Sequence, residues 1–375
     1  MKVPISASIA LLALVVSSAP PAAAAPDITW RLGPTLPTAL ARFDGEIVGN
    51  RIYFLGGRTN DIPPADTIGN ILFFDIPTRT FGDTGVVMPI PISNYGIAKL
   101  EDANGTGLYV FGGRDALGNV ITDVQVYYPD TNTAMVVASD PWPGTTDVAA
   151  CISLPAMGVA VVDNKAFVLG GISVAPGCTF DNSSQTWIFN PNLAPGSRWH
   201  QGADLNLARG YITPAVLGNK LVAIGGDIID NLGALTAQTI VEGLNTSNPT
   251  AWKDGAVADL PEPCDESQAF GFTSGPLAGS IVLAGCGQWP DQTKPDTLVF
   301  SGGSWSQSTP LNDVRRNQAG VLVSLPNNDV MLVLGGYALD GVTIIDSTER
   351  SAAVPLAPAR RPARDAAGAK DVPLI

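Results

Sequence analysis

The chain has 375 residues, of which 40 are glycine and 31 are proline, and no stretch of it shows a long helical period. This composition favours many short strands joined by tight turns, so one large all-β domain is expected. The formal net charge of −13 argues against a nucleic-acid-binding protein, because phosphate contacts need clustered cationic side chains.

The N-terminal segment predicts export from the cytoplasm. Lys2 precedes an apolar run from Ile9 to Val16, and small residues follow that run. The run is too short to span a bilayer, and this order of segments is typical of a secretory signal peptide. We expect residues 1–25 to be removed, with cleavage near Ala24 or Ala25, and the protein to be secreted, or periplasmic in a Gram-negative bacterium. No later segment is long and apolar enough to suggest a membrane span. Three triplets fit N-glycosylation in a eukaryotic host, at Asn104, Asn182 and Asn245.

A short apolar segment that ends in two small residues recurs along the rest of the chain. The copies are IYFLGG, LYVFGG, FVLGG, VAIGG, IVLAG and LVLGG, and the first residues of the six pairs fall at 56, 112, 170, 225, 284 and 335. A turn precedes several copies, and an apolar strand and then a tryptophan-containing strand follow, which predicts four strands per repeat. In the fifth copy Ala284 stands in place of the first glycine. This substitution predicts that only the second position, Gly285, needs a positive φ.

This succession resembles the kelch family of β-propellers, in which each repeat of about fifty residues is one four-stranded blade. The resemblance extends over nearly the whole chain and implies an all-β, six-bladed propeller. The sixth repeat lacks a fourth strand, whereas residues 27–36 have fourth-strand character, so we expect the N-terminal strand to join the last blade and close the ring. Residues 355–375 lack apolar periodicity and predict a disordered tail. The expected blades are 41–91, 92–145, 146–206, 207–261, 262–310 and 311–354.

The four cysteines indicate disulfide bonds, because an even number in an exported protein is typical of them. Facing residues in a hairpin have positions that sum to a constant. By this rule the hairpins of the third and fifth repeats bring Cys151 opposite Cys178 and Cys264 opposite Cys286. We therefore predict two bonds at equivalent places of different blades, each contributing about 3–4 kcal/mol to stability through chain entropy.

The single histidine limits the chemistry that the chain can perform. His200 follows Trp199 on a predicted outer strand, which indicates a structural or surface role. A lone histidine on an outer strand argues against a serine–histidine hydrolase triad. It also argues against the histidine-rich sites typical of zinc and copper. The kelch family includes copper radical oxidases that use two histidines, so that activity is not expected here. Phosphate-loop and dinucleotide patterns do not occur, and we expect no metal and no cofactor.

Polar residues cluster where first strands begin and glycine strands end, at one rim of the predicted propeller. Two interpretations of this cluster are possible. The arginines either tie adjacent blades together through ion pairs, or line a funnel for an anionic or polyhydroxylated ligand such as an acidic sugar. The candidate residues are Arg42, Arg58, Arg114, Arg209, Tyr211, Glu266, Gln268 and Arg316.

We expect a secreted, monomeric binding protein that recognises a carbohydrate or an extracellular partner at this rim. The chain also resembles the exported six-bladed sialic-acid mutarotases in blade count, export and terminal strand closure. That resemblance implies an alternative, a metal-independent epimerase or mutarotase of acidic sugars. In it, Arg209 or Arg316 would hold a carboxylate and Glu266 would transfer protons. A structural protein of a surface or matrix is a third interpretation.

Overall fold

The computed structural model describes residues 27–61, 66–173, 177–288 and 292–353. The predicted signal peptide and C-terminal tail lie outside these residues. The described residues form 26 β-strands and one short 3₁₀ helix, Gly275–Leu277. None of the helices in this part of the chain is long and apolar enough to cross a membrane.

Twenty-four of the strands form six four-stranded antiparallel sheets, which are the blades of the propeller. The first strand, β1, spans Ile28–Leu32. Blade one comprises β2 (Asp44–Val48), β3 (Arg51–Leu55), β4 (Asn70–Asp75) and β5 (Thr80–Val87). Blade two comprises β6 (Gly96–Asp102), β7 (Gly105–Phe111), β8 (Gln125–Tyr128) and β9 (Thr133–Val136). Blade three comprises β10 (Val159–Val162), β11 (Lys165–Ile172), β12 (Asn182–Phe189) and β13 (Trp199–Gln201).

The second half of the chain repeats this order, and blade four also carries a separate two-stranded hairpin between its second and third strands. Blade four comprises β14 (Thr213–Leu217), β15 (Lys220–Ile224), β18 (Val241–Asn245) and β19 (Trp252–Asp254). The hairpin comprises β16 (Asp227–Ile229) and β17 (Leu235–Ala237). Blade five comprises β20 (Gln268–Gly271), β21 (Ile281–Gln288), β22 (Gln292–Ser301) and β23 (Ser304–Gln307). Blade six comprises β24 (Ala319–Leu325), β25 (Asn328–Leu334), β26 (Thr348–Ala353) and β1.

The first strands of the six blades surround the propeller axis. Each contacts the first strand of the next blade, from β2 to β6, β10, β14, β20 and β24, and β24 contacts β2. Strand β1 pairs antiparallel with β26, from Ile28 opposite Ala353 to Leu32 opposite Glu349. Both ends of the described chain therefore lie in the same sheet.

One cluster of buried side chains fills each of the six gaps between neighbouring blades, and a seventh, smaller cluster includes Ile172 and Ile229. Ile224 of blade four and Leu283 of blade five share one cluster, for example, and Phe54 of blade one and Leu334 of blade six share another. Apolar burial contributes about 25 cal/mol per Å². A blade gains this stabilisation only from its neighbours, because a single sheet has nothing to cover its faces.

Tryptophans on fourth strands attach a blade to the one before it. The indole N–H of Trp30 on β1 donates to Thr297 Oγ1 of blade five at 2.9 Å. The indole N–H of Trp252 on β19 donates to Thr186 Oγ1 of blade three at 3.1 Å. Each side chain thus combines apolar area with a hydrogen bond across the gap.

The fifth glycine pair differs from the sequence prediction by one residue. Gly285 has a φ of 69°, like the first glycine of the other pairs (62° at Gly56), and the β21–β22 ladder skips it. A Cβ at Gly285 would lie 2.8 Å from the carbonyl oxygen of Arg315, so this position needs glycine for space as well as for φ. Cys286 occupies the second position, and the prediction that Ala284 replaces the first glycine was wrong.

Two disulfide bonds are present, Cys151–Cys178 and Cys264–Cys286, with Cα–Cα distances of 6.3 and 5.2 Å. They are not equivalent, contrary to expectation. Cys286 lies within β21, and its bond with Cys264 is buried in the cluster between blades four and five. Cys178 instead lies in the loop beyond β11, and both cysteines of its bond are half-buried.

Replacement of both Cys264 and Cys286 by alanine is expected to lower the free energy of unfolding by about 3–5 kcal/mol, because it removes a cross-link and leaves space in a packed core. The same change at Cys151 and Cys178 should cost about 3 kcal/mol or less, since its loop is of similar length but its side chains are half-exposed. Urea-denaturation midpoints of the two double variants measure the difference. A larger loss for the Cys151/Cys178 variant would contradict this ranking.

Asp44 is a buried carboxyl group at the start of β2. Its Oδ1 accepts the backbone N–H of Gly45 at 2.9 Å and that of Gly320 in blade six at 3.4 Å. Burial raises the pKa of Asp44 to about 7, because removal from water disfavours the charged form. The folded state therefore retains a proton that the unfolded chain, with an aspartate pKa of 3.8, has released.

The contribution of Asp44 to stability is complete below about pH 4 and is lost as the pH rises through about 7, a total of up to about 4 kcal/mol. Asp44→Asn cannot ionise, so its stability is expected to fall less steeply between pH 5 and 8 than that of the wild type. Thermal denaturation at several pH values measures these slopes. The control Asp75→Asn should leave the slope unchanged, because hydrogen bonds from Thr78 lower the pKa of Asp75. Equal slopes in Asp44→Asn and the wild type would refute the assignment.

Candidate functional site

A left-handed residue precedes the first strand of every blade by two positions, at one mouth of the central channel. This conformation is uncommon outside glycine, and its repetition gives each blade one side chain at the mouth. Backbone hydrogen bonds link some of these residues between blades, with 2.9 Å from Arg42 N to Asn317 O and from Asn94 N to Arg42 O. The six residues are Arg42, Asn94, Met157, Tyr211, Glu266 and Asn317.

A cavity of about 410 Å³ opens at this mouth, and we call it the rim pocket. Its size lies in the range of small-molecule sites. Three arginines and two carboxylates give its lining a formal charge of +1, in a protein whose net charge is −13. The polar lining residues are Arg42, Arg58, Asp61, Asn94, Arg114, Tyr211 and Glu266. The apolar lining residues are Ile172, Phe180, Ile229 and Leu235.

Glu266 is held between two arginines. Arg316, which is fully buried, donates through Nη1 to the Glu266 carboxylate, and Arg42 Nη1 lies 3.9 Å from Oε1 of the same group. Both guanidinium groups lie over the ring of Tyr337, at 5.2 Å for Arg42 and 4.8 Å for Arg316. This combination of ion pairs and cation–π contacts fixes the Glu266 carboxylate at the wall of the pocket.

Asp61 balances the arginines of blade one. Arg58 donates from Nη1 to Asp61 Oδ1 at 3.0 Å and from Nε to Ser93 Oγ at 2.9 Å. Arg42 Nε lies 3.7 Å from the same Asp61 oxygen. The positive charge of these two arginines is therefore partly neutralised within the protein.

Arg114 has no carboxylate paired with it in the described part of the chain. Its Nε is buried without a hydrogen-bond partner, and none of the ion pairs found there includes it. Desolvation, with smaller effects from Arg42 and Arg58, lowers the pKa of Arg114. Oδ1 of Asn94 in the same pocket is also buried without a partner. An anion in the pocket would satisfy the arginine.

The structure brings five of the predicted site residues together and separates three others from the pocket. Arg42, Arg58, Arg114, Tyr211 and Glu266 line the rim pocket, as listed above. Arg316 is buried and contacts the pocket only through the glutamate that it holds. Gln268 is buried on β20, where its Nε2 donates to the carbonyl oxygen of Gln318 at 3.1 Å.

The structure corrects the interpretation of Arg209 as a ligand-binding residue. Its side chain has no exposed surface, and its donors are used within the protein. It donates to Glu242 Oε1 at 2.6 Å, and Arg315 donates to Glu349 Oε1 in blade six at 3.0 Å. In both blades an asparagine three residues before the arginine donates to the same glutamate. Arg209 is thus equivalent to Arg315, not to Arg316, and its role is to hold a strand connection in place.

The sequence interpretation missed Asp61 and the apolar wall of the pocket. Ile229 and Leu235 belong to the β16–β17 hairpin, and Phe180 lies in the loop between β11 and β12. Equivalent pairs occur after the glycine pairs of other blades, such as the bridges Arg58–Thr67 and Arg114–Val120. The intervening residues differ in number and type from repeat to repeat, so the repeat pattern did not single out these apolar side chains. The apolar pair at 228–229 after the fourth glycine pair was the available sign of an extra strand.

Comparisons with known proteins agree with this architecture. No family model matches the chain. It is similar to Beta-scruin of Limulus polyphemus, with 25% identity over 159 residues, which are 41% of this chain and 15% of that protein. The chain thus spans only a small part of the length of this relative. The solved structure of YjhT matches with a TM-score of 0.62 and 17% identity, over 84% of this chain and 95% of that one, a likeness that concerns the fold alone. Six four-stranded blades and the likeness to this solved structure show that the chain is a six-bladed β-propeller, and its recurring glycine pair resembles the kelch repeat.

Proposed function

We propose that the rim pocket binds a small anionic ligand, and that an acidic sugar is the class of ligand it accepts. The observation that carries this proposal is Arg114, a cation at the pocket wall without an ion pair in the described chain. Charge-assisted hydrogen bonds to a carboxylate are among the strongest that a side chain forms. A ligand carboxylate at this position would replace the hydration that Arg114 loses on burial.

The rest of the lining supports a sugar over a simple inorganic anion. Asp61, Asn94 and Tyr211 offer acceptors and donors for hydroxyl groups. Phe180 and Leu235 offer apolar surface for the face of a sugar ring. The two disulfide bonds support action in an oxidising compartment, which agrees with the predicted signal peptide.

Arg114→Ala is expected to weaken the binding of D-glucuronate by roughly ten- to a hundredfold, the loss of a hydrogen bond to a charged group. Isothermal titration calorimetry measures the affinity, with D-glucose as the uncharged comparison ligand. The matched control is Arg51→Ala, which removes an exposed arginine that pairs with Asp75 on the surface of blade one.

Two results would contradict the proposal. One is an unchanged affinity of Arg114→Ala for D-glucuronate. The other is the absence of binding by the folded wild type across a panel of D-glucuronate, D-galacturonate and N-acetylneuraminate.

An isomerase of acidic sugars is the second candidate function, because Glu266 and Tyr211 line the same pocket as Arg114. Interconversion of anomers requires a group that accepts a proton from the anomeric hydroxyl and a group that supplies one to the ring oxygen. A carboxylate and a phenol beside a carboxylate-binding arginine could perform these transfers without a metal.

If the pocket is an isomerase site, the protein should accelerate the exchange between the anomers of D-glucuronate, measured by NMR exchange spectroscopy. Glu266→Gln should abolish this acceleration while the affinity falls much less. Glu262→Gln is the control, because Glu262 is exposed and pairs with Lys294 away from the pocket. If the wild-type protein binds D-glucuronate but does not change the rate of exchange between its anomers, the isomerase hypothesis is wrong and the binding hypothesis still stands.

A further inference from the structure

Asp227 and Asp265 form a buried carboxyl pair next to the rim pocket. Both residues have no exposed surface, and each carboxyl group acts directly on the pKa of the other. In the described chain none of their four oxygen atoms accepts a hydrogen bond from a donor of another residue. A buried pair of carboxyl groups without donors is uncharged when it holds two protons. After the first proton is lost the two groups share the one that remains, because two adjacent negative charges are too costly there.

The pair lies where blades four and five meet. Asp227 begins β16 after the glycine pair of blade four, and a β-bridge joins it to Gly210. Asp265 precedes Glu266 at the start of blade five and forms a β-bridge with Gly287. These bridges fix both backbones, so the two carboxyl groups cannot move apart without disturbing the blade ends.

The charged groups that act on the pair are Glu266 and Arg316. Arg316 is already committed, since it donates to Glu266 and, at 2.9 Å, to the carbonyl oxygen of Gly341. The charge of the pair is therefore set by protons.

We propose that the Asp227–Asp265 pair makes anion binding in the rim pocket pH-dependent, by placing one negative charge behind Glu266 and Arg316 when it loses the first of its two protons. This inference rests on the proposed function. Ionisation of the pair gives Arg316 a second anionic neighbour and lowers the positive potential that attracts a ligand carboxylate. Affinity for an anion should therefore be higher at acidic pH than at neutral pH.

The range of pH follows from burial. Burial and the neighbouring carboxylates raise the pKa of Asp227 to about 6 and raise the pKa of Asp265 well above its ordinary range. Below this pH range the pair holds two protons and is uncharged. Above it the pair holds one shared proton and carries one negative charge. A sugar carboxylate stays ionised throughout, so a change in affinity between pH 5 and 7.5 reports the protein and not the ligand.

The first experiment needs no ligand. Aspartate and glutamate carboxyl carbons are followed by carbon-13 NMR between pH 4 and 8, and the signals are assigned by their loss in Asp227→Asn, Asp265→Asn and Glu266→Gln. We expect Asp227 to titrate well above its ordinary value of 3.8, and Glu266 to respond with the same midpoint. Two results would overturn the inference. One is that both aspartates titrate independently with pKa values near the ordinary one. The other is that the chemical shift of the Glu266 carboxyl carbon does not change when the aspartates titrate.

The second experiment measures the affinity for D-glucuronate at pH 5 and 7.5. The wild type should bind roughly three- to tenfold more weakly at pH 7.5, the effect of one charge at close range. Asp265→Asn and Asp227→Asn should remove most of this difference, and either variant suffices if the other does not fold. Asp329→Asn, a buried aspartate held by Thr273 and Ser274, is the control and should keep it.

Equal affinity at both pH values in the wild type would overturn the inference and leave the proposed function standing. Absence of binding at every pH would overturn both. In that case the carbon-13 titration still shows whether the pair is coupled to Glu266. Failure of the proposed function can therefore be distinguished from failure of the pH-dependence inference.

Discussion

Burial of every blade face against a neighbouring blade is the constraint on which the rest of the structure depends. Six of the seven hydrophobic clusters of the described chain lie between neighbouring blades, and each of these six needs side chains from two sheets. Strand β1 completes the last of them, because Ile28 and Trp30 are both buried in the cluster between blades five and six. Its pairing with β26 therefore supplies apolar area as well as backbone hydrogen bonds, and the fold is a property of the ring and not of one repeat.

The same ring assembles the rim pocket from blades that are distant in sequence. Arg42 and Arg114 come from blades one and two, and Glu266 comes from blade five, while blades three and four add the apolar wall. Elsewhere at this end the buried arginines are compensated, as in the ion pair between Arg209 and Glu242. Compensation is the usual condition for burying a charge. Arg114 departs from that condition, and departures of this kind are expected where a ligand completes the set of interactions.

The recurring glycine strands and their resemblance to the kelch family were enough to predict six blades. The position of each hairpin turn was enough to pair the cysteines, because facing positions in a hairpin follow directly from the turn. The sequence patterns did not distinguish positions that differ by one residue in the repeat. The position of Gly285 depends on a φ angle and on the approach of a neighbouring carbonyl group, and neither is visible in a glycine count. Arg209 and Arg316 are the same residue type at nearly the same place in the repeat, yet they differ in register, which only the three-dimensional structure reveals. The residues that follow each glycine pair, such as those of the β16–β17 hairpin, vary in type and number between repeats, so comparison of the copies does not show which of them line a pocket.

The charge of the rim explains how an acidic protein could recognise an anion. With the Asp227–Asp265 pair uncharged, the arginines at this mouth outnumber the ionised carboxylates Asp61 and Glu266, although the whole chain carries −13. Interactions over a few ångströms at a partly buried site are screened less than those with the distant surface. A short-range excess of positive charge can therefore outweigh a larger negative charge spread over the outer strands. In the described chain the side chains that create this excess come from blades one, two, five and six, so recognition of an anion would depend on closure of the ring as directly as the packing does.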